Sequence, residues 1–439
     1  MKPAYAEFSE RAGEPRGKRE SFPELAPSDR LMVLAPHPDD EVLACGGLLH
    51  RAAEAGVPLR VVFFTCGDNN ELAFEAYRGL PVFQSARFRQ MGLLRREEAL
   101  AAAGTLGLKP ENLVFLGYPD FRTLKIWEEH WGAAPPCWSM FTSVQKVPYD
   151  YARTPGAPHK GEAVLKDLEG EISDFNPTRI LVSHPSDFNV DHRALYLFSL
   201  VSLWNLGEKT APPLHSYLVH FPGWPWPPGK FPEAPLDPPA ALERESIWTE
   251  YRLSKTDLAR KEAAIRFHAS QFAYSSRFLL SFMRADEPFA DVQPRHLVLP
   301  EDGTGTGTLV TRTETGFTGV QEHYARRDRE RIYAGIGLKV PLGRQFGVSA
   351  QFYGWKKDTP FREMPKIKIE TGPLRRRVRD QYTAVETGGT VIVKSPRSLE
   401  IGVPLRLLGN PERILASVRT TFCGWEQSRS GWRILRLDA

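Results

Sequence analysis

The stretch LMVLAPHPDDEVLACGGLLH, residues 31–50, decides the fold that the sequence predicts. It opens with LMVLAP, a continuous apolar run typical of a strand buried on both faces of a parallel sheet. The polar turn HPDDE follows, and an apolar helical pattern then ends near a glycine. A buried strand that leads through a polar turn into a helix indicates the first unit of an α/β sheet.

The same pattern recurs along the chain. Apolar runs bounded by Gly, Pro or Asp stand at LRVVFFT (59–65), NLVFLG (112–117) and RILVSH (179–184). Helical patterns such as RREEALAAAGTLGL separate them. This alternation predicts an α/β fold with a doubly wound, mostly parallel, Rossmann-like sheet. In such sheets, ligands bind beyond the carboxyl ends of the strands.

The pattern changes in the last third of the chain. EDGTGTGT (301–308) is typical of a flexible linker. Short apolar segments separated by turn-forming residues follow it. These segments predict an antiparallel β-sandwich. We therefore expect an N-terminal extension over 1–30, an α/β domain over 31–295 and a β-sandwich accessory domain over 308–439.

Composition indicates a globular protein. Of the 439 residues, 41% are hydrophobic and 25% are charged. The first thirty residues lack the apolar core of a secretory signal, and no apolar run approaches the ~18 residues of a spanning helix. The four cysteines are too sparse for a disulfide scaffold. We expect a cytoplasmic protein without a transmembrane segment.

Charge is unevenly distributed. Residues 300–439 contain 24 Lys and Arg against 15 Asp and Glu, with a cluster at Arg375, Arg376, Arg377 and Arg379. This excess could bind an acidic glycan or could be a solvated basic face. The second reading is favoured because no aromatic platform interleaves with the arginines. Nucleic acid is not expected as a partner.

Each predicted strand of the α/β domain ends in polar residues. Because carboxyl ends of parallel strands meet at one edge of a sheet, these side chains should converge in one crevice. In chain order they are His37, Asp39, Asp40 and Glu41, then Asp68, then Asp120, then His184, Asp187, Asn189, Asp191 and His192.

Two imidazoles and one carboxylate in this set could hold a metal. His37, Asp40 and His192 would supply two nitrogens and one oxygen, which suits Zn²⁺ with an open position for water, although Fe²⁺, Mn²⁺ or Co²⁺ also accept such ligands. A metal lowers the pKa of its water from 15.7 to roughly 7, and Asp39 stands where it could take the proton. Singly, these residues could cap a helix or lie on the surface. Together they favour a metal site.

The motif APHPDDE (35–41) resembles the signature of the PIG-L/LmbE-like zinc-dependent N-acetylglucosaminyl deacetylases. The resemblance covers about residues 31–289. Its further parts stand in order along the chain: TCGD (65–68), Arg95 with Glu98, FLGYPD (115–120), DHR (191–193) and YLVH (217–220).

The resemblance implies a set of roles. His37, Asp40 and His192 would hold zinc, and Asp39 would be the general base. Asp191 would tune the base or an acid partner, and the substrate side of the site would include Arg95, Asp120 and Asp68. The implied reaction removes the N-acetyl group from an N-acetylglucosamine-containing glycan, glycolipid or glycoconjugate and yields acetate and a free amine.

One position departs from the family pattern. Many members have a histidine where this chain has Asn189, and an amide can donate a hydrogen bond but cannot protonate a leaving amine. Either Asp39 performs both proton transfers or nearby His184 takes the acid role. Two other functions remain open: an amidase of a non-sugar or thiol-conjugate amide, and a catalytically weakened carbohydrate-binding protein. A homo-oligomer is compatible with the sequence.

An aromatic stretch follows Asp120. Trp127, Trp131, Trp138 and Tyr149 could stack on sugar rings, form a lid, or pack the loop against the body of the protein. The C-terminal segments faintly resemble carbohydrate-binding modules. They could bind glycan, mediate dimerisation or cover one side of the α/β domain.

Overall fold

The computed structural model of the chain describes most of the sequence. The described residues are 19–69, 85–207, 211–243, 246–292, 294–296, 307–312, 320–339, 341, 346–372, 376–386, 389–422, 425–429 and 432–437. Most of the predicted linker 301–308 and Arg375 of the basic cluster lie outside them.

The described helices lie mainly in the first two thirds of the chain. They are α1 (Asp40–Glu54), α2 (Ser85–Thr105), α3 (Thr123–Glu129), α4 (Gly161–Phe175), α5 (Val190–Leu206), α6 (Lys255–Phe267) and α7 (Ala269–Leu279). Short 3-10 helices span Pro110–Asn112, Leu280–Phe282, Phe361–Glu363 and Leu405–Leu408. None of the described helices is long and apolar enough to cross a bilayer. Cytoplasmic location stays a prediction.

The first sheet has the order β1-β7-β8-β6-β5-β2-β3-β4. Its strands are β1 (Glu20–Ser21), β2 (Leu31–Ala35), β3 (Leu59–Thr65), β4 (Leu113–Tyr118), β5 (Arg179–Ser183), β6 (Leu214–Tyr217), β7 (Ser246–Arg252) and β8 (Asp286–Val292). The five strands from β6 to β4 are parallel, and β8 runs antiparallel to both β6 and β7. The predicted mostly parallel α/β sheet is confirmed.

The centre of this sheet lies at β2. Val33 is in register with Val61 of β3 on one side and with Leu181 of β5 on the other. All five residues of β2 are buried, which requires cover on both faces of the sheet. The chain proceeds from β2 to β3 and β4 in one direction and adds β5 and β6 in the other, so strand order reverses between β2 and β5. Such a switch point opens a crevice at the carboxyl ends of the two strands.

Part of the segment before Leu31 joins this sheet. β1 pairs with β7, and Phe22 packs in the core with its ring 4.7 Å from that of Phe289. Arg19 forms an ion pair with Asp286 at 3.2 Å. The domain boundaries drawn from the sequence stay predictions.

Two further sheets form the C-terminal part, with orders β10-β11-β12-β18-β17 and β16-β15-β14-β13-β19-β21-β9, and β20 pairs with β19. Except for the parallel pair β21–β9, the strands are antiparallel. The strands are β9 (Arg295–His296), β10 (Gly307–Arg312), β11 (Val320–Arg327), β12 (Arg331–Leu338), β13 (Phe346–Trp355), β14 (Lys366–Thr371), β15 (Arg376–Asp380), β16 (Thr383–Ala384), β17 (Val391–Ser395), β18 (Ser398–Pro404), β19 (Arg413–Phe422), β20 (Trp425–Arg429) and β21 (Arg433–Arg436). Both sheets contribute to one hydrophobic core, for example through Ile336 and Phe352. An additional C-terminal region of antiparallel sheets is thereby confirmed.

An aromatic cluster joins the C-terminal sheets to the α/β part. Trp127 of α3 lies with its ring 5.4 Å from Phe361, 5.7 Å from Tyr353 and 5.9 Å from Trp432. Trp127 and Trp131 are fully buried, whereas Trp138 is 53% exposed. For Trp127 and Trp131, the structure therefore supports packing against the body rather than sugar stacking.

Polar contacts accompany this apolar interface. Tyr353 Oη donates to the carbonyl oxygen of Glu128 at 3.0 Å, and Trp355 Nε1 donates to Asn205 Oδ1 at 3.0 Å. The C-terminal region thus covers one side of the α/β part, as one of the sequence alternatives proposed.

A lysine is buried within the same interface. Lys366 Nζ lies 4.2 Å from the ring centroid of Phe361 and 4.7 Å from that of Trp131, and it donates to the carbonyl oxygens of Phe361 and Met364. Burial lowers the pKa of Lys366 to about 7, because the charged form loses its hydration.

We expect Trp127→Ala to lower the free energy of unfolding by about 3–5 kcal/mol, since it leaves a large cavity in the interface. The matched variant Trp138→Ala should change it by about 0.5 kcal/mol or less, because that ring is largely exposed. Chemical denaturation of the full chain measures both. Equal losses in the two variants would contradict the buried position of Trp127.

A second expectation concerns the pH dependence of stability. Above pH of about 7, native Lys366 is neutral, whereas an unfolded lysine keeps its proton up to about 10.4. In this pH range the unfolded chain binds more protons than the folded chain. The contribution of Lys366 to the free energy of unfolding therefore rises with pH between these two values, and it does not change with pH below about 7.

The measurement is the free energy of unfolding of the wild type minus that of Lys366→Met at each pH. The contributions of the other titrating groups cancel in this difference. A difference that does not change between pH 7 and 9.5 would show that Lys366 keeps its proton in the folded chain.

Candidate metal centre and active site

The loop between β2 and α1 brings three candidate residues to the switch point. His37 and Asp39 lie in the turn, and Asp40 begins α1. The Asp40 carboxylate accepts from the backbone N–H of His37 at 2.9 Å and so closes the turn. Asp39 has φ 139°, a left-handed conformation that is strained for a residue with a side chain. Such strain is typical of functional sites, where surrounding contacts hold the backbone in place.

Two imidazoles converge on the Asp40 carboxylate. His37 Nδ1 and His192 Nε2 each lie 3.1 Å from Asp40 Oδ2, and the two rings are 5.2 Å apart. His192 arrives from the first turn of α5, which follows β5. All three side chains are buried. The predicted set of two nitrogens and one oxygen is therefore assembled at one point, and its ligand atoms are close enough to share one cation.

The second nitrogen of each imidazole faces a carboxylate. His37 Nε2 lies 3.1 Å from Asp120 Oδ1 and 3.3 Å from Asp191 Oδ2. His192 Nδ1 lies 3.1 Å from Asp187 Oδ2. Outer carboxylates of this kind orient metal-ligating histidines and set their tautomer.

The hydrogen bonding of His192 fits a metal ligand. Neither of its ring nitrogens makes a well-directed hydrogen bond to a described residue, although both approach carboxylates. A buried imidazole without such bonds is costly in a protein interior. A cation bound at Nε2 would satisfy it, so the residues present fit a divalent metal.

A second group, His37 with Asp120 and Asp191, is also close enough to hold an ion. Its carboxylates accept backbone donors, as Asp40 also does. Asp191 accepts from Phe121 N at 2.7 Å and from Thr123 N at 3.3 Å, and Asp120 accepts from Asn69 N at 3.1 Å. The first group offers two nitrogens and one oxygen, which is nearer to the ligand set of zinc sites than the one nitrogen and two oxygens of the second group.

The Asp39 carboxylate does not cap helix α1. The residue occupies the N-cap position of α1 but makes no capping bond to the described backbone of that helix. Its Oδ1 instead accepts from Arg95 Nη2 at 3.0 Å. Burial raises the pKa of Asp39 to about 6, against the opposing effect of the Arg95 charge. A carboxylate with a pKa near neutrality beside a metal site is suited to take up a proton.

Arg95 is placed beneath this carboxylate. Its guanidinium also donates to the carbonyl oxygens of Pro38 at 2.6 Å and Gly67 at 3.2 Å, and only 3% of the residue is exposed. Gly67 has φ 62°, and a Cβ there would lie 2.1 Å from Arg95 Nη1. Glycine at that position thus leaves room for the arginine. Arg95 therefore contacts both the Asp39 loop and the turn that follows β3.

The two other residues predicted on the substrate side are buried as well. Asp68 Oδ2 accepts from Tyr149 Oη at 2.6 Å, and burial raises the pKa of Asp68 to about 7. Although burial also acts to raise the pKa of Asp120, the neighbouring His37 lowers it to about 2. Tyr149 is thereby a partner of Asp68 rather than an open stacking surface.

Asn189 and His184 both have their side chains engaged. Asn189 Oδ1 caps α5 by accepting from Asp191 N at 2.8 Å. His184 Nδ1 accepts from Ser186 N at 3.1 Å, while its Nε2 lies 3.0 Å from Ser246 Oγ. Burial lowers the pKa of His184 to about 3. These bonds hold His184 neutral and away from proton transfer.

Two residues of the site received no role from the sequence. Asp187 Oδ2 accepts from Val219 N at 3.1 Å and His220 N at 2.9 Å while facing His192. The ring of His220 lies 4.9 Å from that of His192, and burial lowers its pKa to about 4. Asp187 follows a predicted strand end, and His220 ends the YLVH segment that belongs to the family resemblance; these are the signals that could have indicated them.

Comparison with known proteins adds a family match. Residues 32–201 match the family model described as PIG-L: GlcNAc-PI de-N-acetylase. This match confirms the family resemblance that the APHPDDE motif suggested.

Curated relatives carry related names. A 1D-myo-inositol 2-acetamido-2-deoxy-alpha-D-glucopyranoside deacetylase of Mycobacterium sp. (strain KMS) is 38% identical over 22% of this chain and 29% of that protein. The match to a protein of the same name from Nakamurella multipartita spans 30% of its length. The protein of that name from Gordonia bronchialis is 26% identical over 55% of this chain and 83% of its own. The chain thus spans about a third of the length of the first of these relatives.

Among solved structures, the conserved protein TT1542 from Thermus thermophilus is similar to this chain. It has 21% identity and a TM-score of 0.37, and the match covers 62% of this chain and 97% of that one.

The geometry of the metal site makes a prediction about binding. His192→Ala and Asp40→Asn should abolish binding of one Zn²⁺ per chain, because each removes a ligand atom. Asp187→Asn should weaken binding by about 10–100-fold, since it removes the carboxylate behind His192.

The control is Asp174→Asn, which changes an exposed aspartate in α4. Calorimetric titration of chelator-treated protein measures all four variants. If Asp187→Asn binds Zn²⁺ as tightly as Asp174→Asn, the carboxylate behind His192 has no orienting role.

Proposed function

We propose that this chain, whose residues 32–201 match the PIG-L family, is a metal-dependent N-deacetylase acting on an N-acetylglucosamine-containing glycan, glycolipid or glycoconjugate. The observation that carries the proposal is the convergence of His37, Asp40 and His192 beside an Asp39 carboxylate that does not cap its helix. The names of the relatives support an acetylated amino sugar as the substrate.

The metal in this proposal is held by His37, Asp40 and His192, and zinc is the cation that two nitrogens and one oxygen favour. When bound, such a cation polarises the acetamide carbonyl and makes a water molecule more acidic. Asp120, Asp191 and Asp187 keep the two imidazoles oriented.

Asp39 performs both proton transfers. It takes a proton from the attacking water and returns it to the amide nitrogen as the C–N bond breaks, so that acetate and a free amine leave. Arg95 holds the carboxylate in position. Asn189 lacks a transferable proton, and both ring nitrogens of His184 are engaged, which supports a single residue in both roles.

The remaining parts have supporting roles in the proposal. The C-terminal region is a β-sandwich accessory domain that covers α3, and the division at 31–295 and 308–439 separates it from the catalytic part. Cytoplasmic location and a homo-oligomer stay predictions.

Acetate release tests the proposal. Wild-type protein should release acetate from N-acetylglucosamine conjugates, lose this activity after chelation and regain it with Zn²⁺. Asp39→Asn should lower kcat by about 10²–10⁴-fold, the usual contribution of a general acid–base group, with Zn²⁺ still bound.

Asp358→Asn is the matched control, because this exposed aspartate also has a positive φ, 61°, and lies in the C-terminal region. Acetate release from non-sugar amides alone would favour the amidase alternative. Full turnover by Asp39→Asn would refute the role of its carboxylate.

A further inference from the structure

The proposed reaction needs a hydrogen-bond donor near the amide carbonyl, where negative charge develops. Donors fixed in advance at that point often contribute strongly to catalysis. Two of the side chains considered so far are committed elsewhere: His184 contacts Ser246 and Ser186, and Arg95 holds the Asp39 loop. Asn189 Oδ1 caps α5, which engages the acceptor of this amide and not its donor. Tyr217 Oη donates to the carbonyl oxygen of Leu34, and Tyr149 Oη donates to Asp68.

His220 reaches the same crevice from the next strand. β6 is the parallel neighbour of β5, with Tyr217 in register with Ser183, and His220 follows three residues after Tyr217. Its backbone is fixed on both sides, since its N–H donates to Asp187 Oδ2 at 2.9 Å and its carbonyl accepts from Phe188 N at 2.7 Å. The same Asp187 oxygen faces the metal-ligand candidate His192. One carboxylate therefore sets the positions of both histidines.

The ring of His220 is held by contacts with two other rings. It stacks on Phe278 at 5.5 Å with an interplanar angle of 8°, and its edge-to-face contact with His192 is 4.9 Å between centroids. No described residue hydrogen-bonds either ring nitrogen of His220, although the side chain is half-buried. His184 differs, since both of its nitrogens are bonded. His220 thus has an N–H available beside the metal site.

We propose that a ring N–H of His220 donates a hydrogen bond to the carbonyl oxygen of the amide under attack. This inference rests on the proposed function and deepens it, because it assigns a donor to the carbonyl oxygen where negative charge develops. An imidazole carries at least one N–H in either protonation state, so the bond requires no proton transfer. Stacking on Phe278 fixes the ring before substrate arrives, which is the arrangement that makes such donors effective.

The test compares His220→Phe, which preserves the stacked ring shape and removes the donor, with His220→Gln, which retains an N–H. Each is prepared as full-length, Zn²⁺-loaded protein with its metal content measured. We expect His220→Phe to bind one Zn²⁺ per chain and to lower kcat by about 10²–10³-fold with KM within about threefold. His220→Gln should recover at least about tenfold of that loss.

A second measurement does not require turnover. Methylphosphonate, a tetrahedral anion, is titrated into the same proteins by calorimetry, and we expect its Kd to rise by about tenfold or more in His220→Phe but less in His220→Gln. This probe presents oxygens like those of the tetrahedral species that the donor would bind.

The outcomes separate the two proposals. If the wild type releases acetate and His220→Phe keeps kcat within threefold, the His220 inference is overturned and the proposed function stands. If the wild type releases no acetate from any substrate, the proposed function fails, and the His220 inference that rests on it is overturned as well. In an active wild type, equal affinity of all three proteins for methylphosphonate also overturns the donor. Loss of Zn²⁺ in His220→Phe would also overturn the inference, since the residue would then serve the metal.

Discussion

The contact of one Asp40 oxygen with two imidazole nitrogens, 3.1 Å from each, is the constraint on which the rest of the site depends. His37 and Asp40 follow β2, and His192 follows β5, so the contact exists only if these strands are neighbours in parallel register. The reversal of strand order at β2 meets that requirement. It also explains why the site lies at the carboxyl edge of the sheet, because only there do both connecting turns open on the same crevice.

Burying so many ionisable groups is costly unless each has a partner. The site meets this cost with alternating charge. Carboxylates lie between imidazoles and also accept from backbone N–H groups: Thr123 N donates to Asp191 Oδ1, and Asn69 N donates to Asp120 Oδ2. The Asp187 carboxylate links two histidines, since it faces the ring of His192 and accepts from the backbone N–H of His220. Removal of one member therefore leaves another buried charge without compensation.

Helix α3 connects this charged centre to the C-terminal sheets. Its first residue, Thr123, binds the Asp191 carboxylate that faces His37, and one turn later Trp127 enters the aromatic cluster with Tyr353 and Phe361. The C-terminal region is thus packed on the helix that supports an outer carboxylate of the site. This gives the covering region a structural connection to the candidate site through α3.

The sequence by itself determined the parallel sheet and the polar residues at its strand ends, because buried parallel strands are continuous apolar runs and their carboxyl ends must meet. It also indicated that His37, Asp40 and His192 would come together, as the structure has them. It also predicted a C-terminal region of short antiparallel strands from turn spacing. It could not decide the partners of Arg95, Asp187, His220 or Trp127, since these depend on which side chains approach across the fold. The local sequence pattern shows whether a residue is apolar or charged. The hydrogen bond between Arg95 and Asp39, 56 positions apart, forms only when the chain has folded. For the same reason, only the tertiary structure distinguished a committed His184 from an available His220.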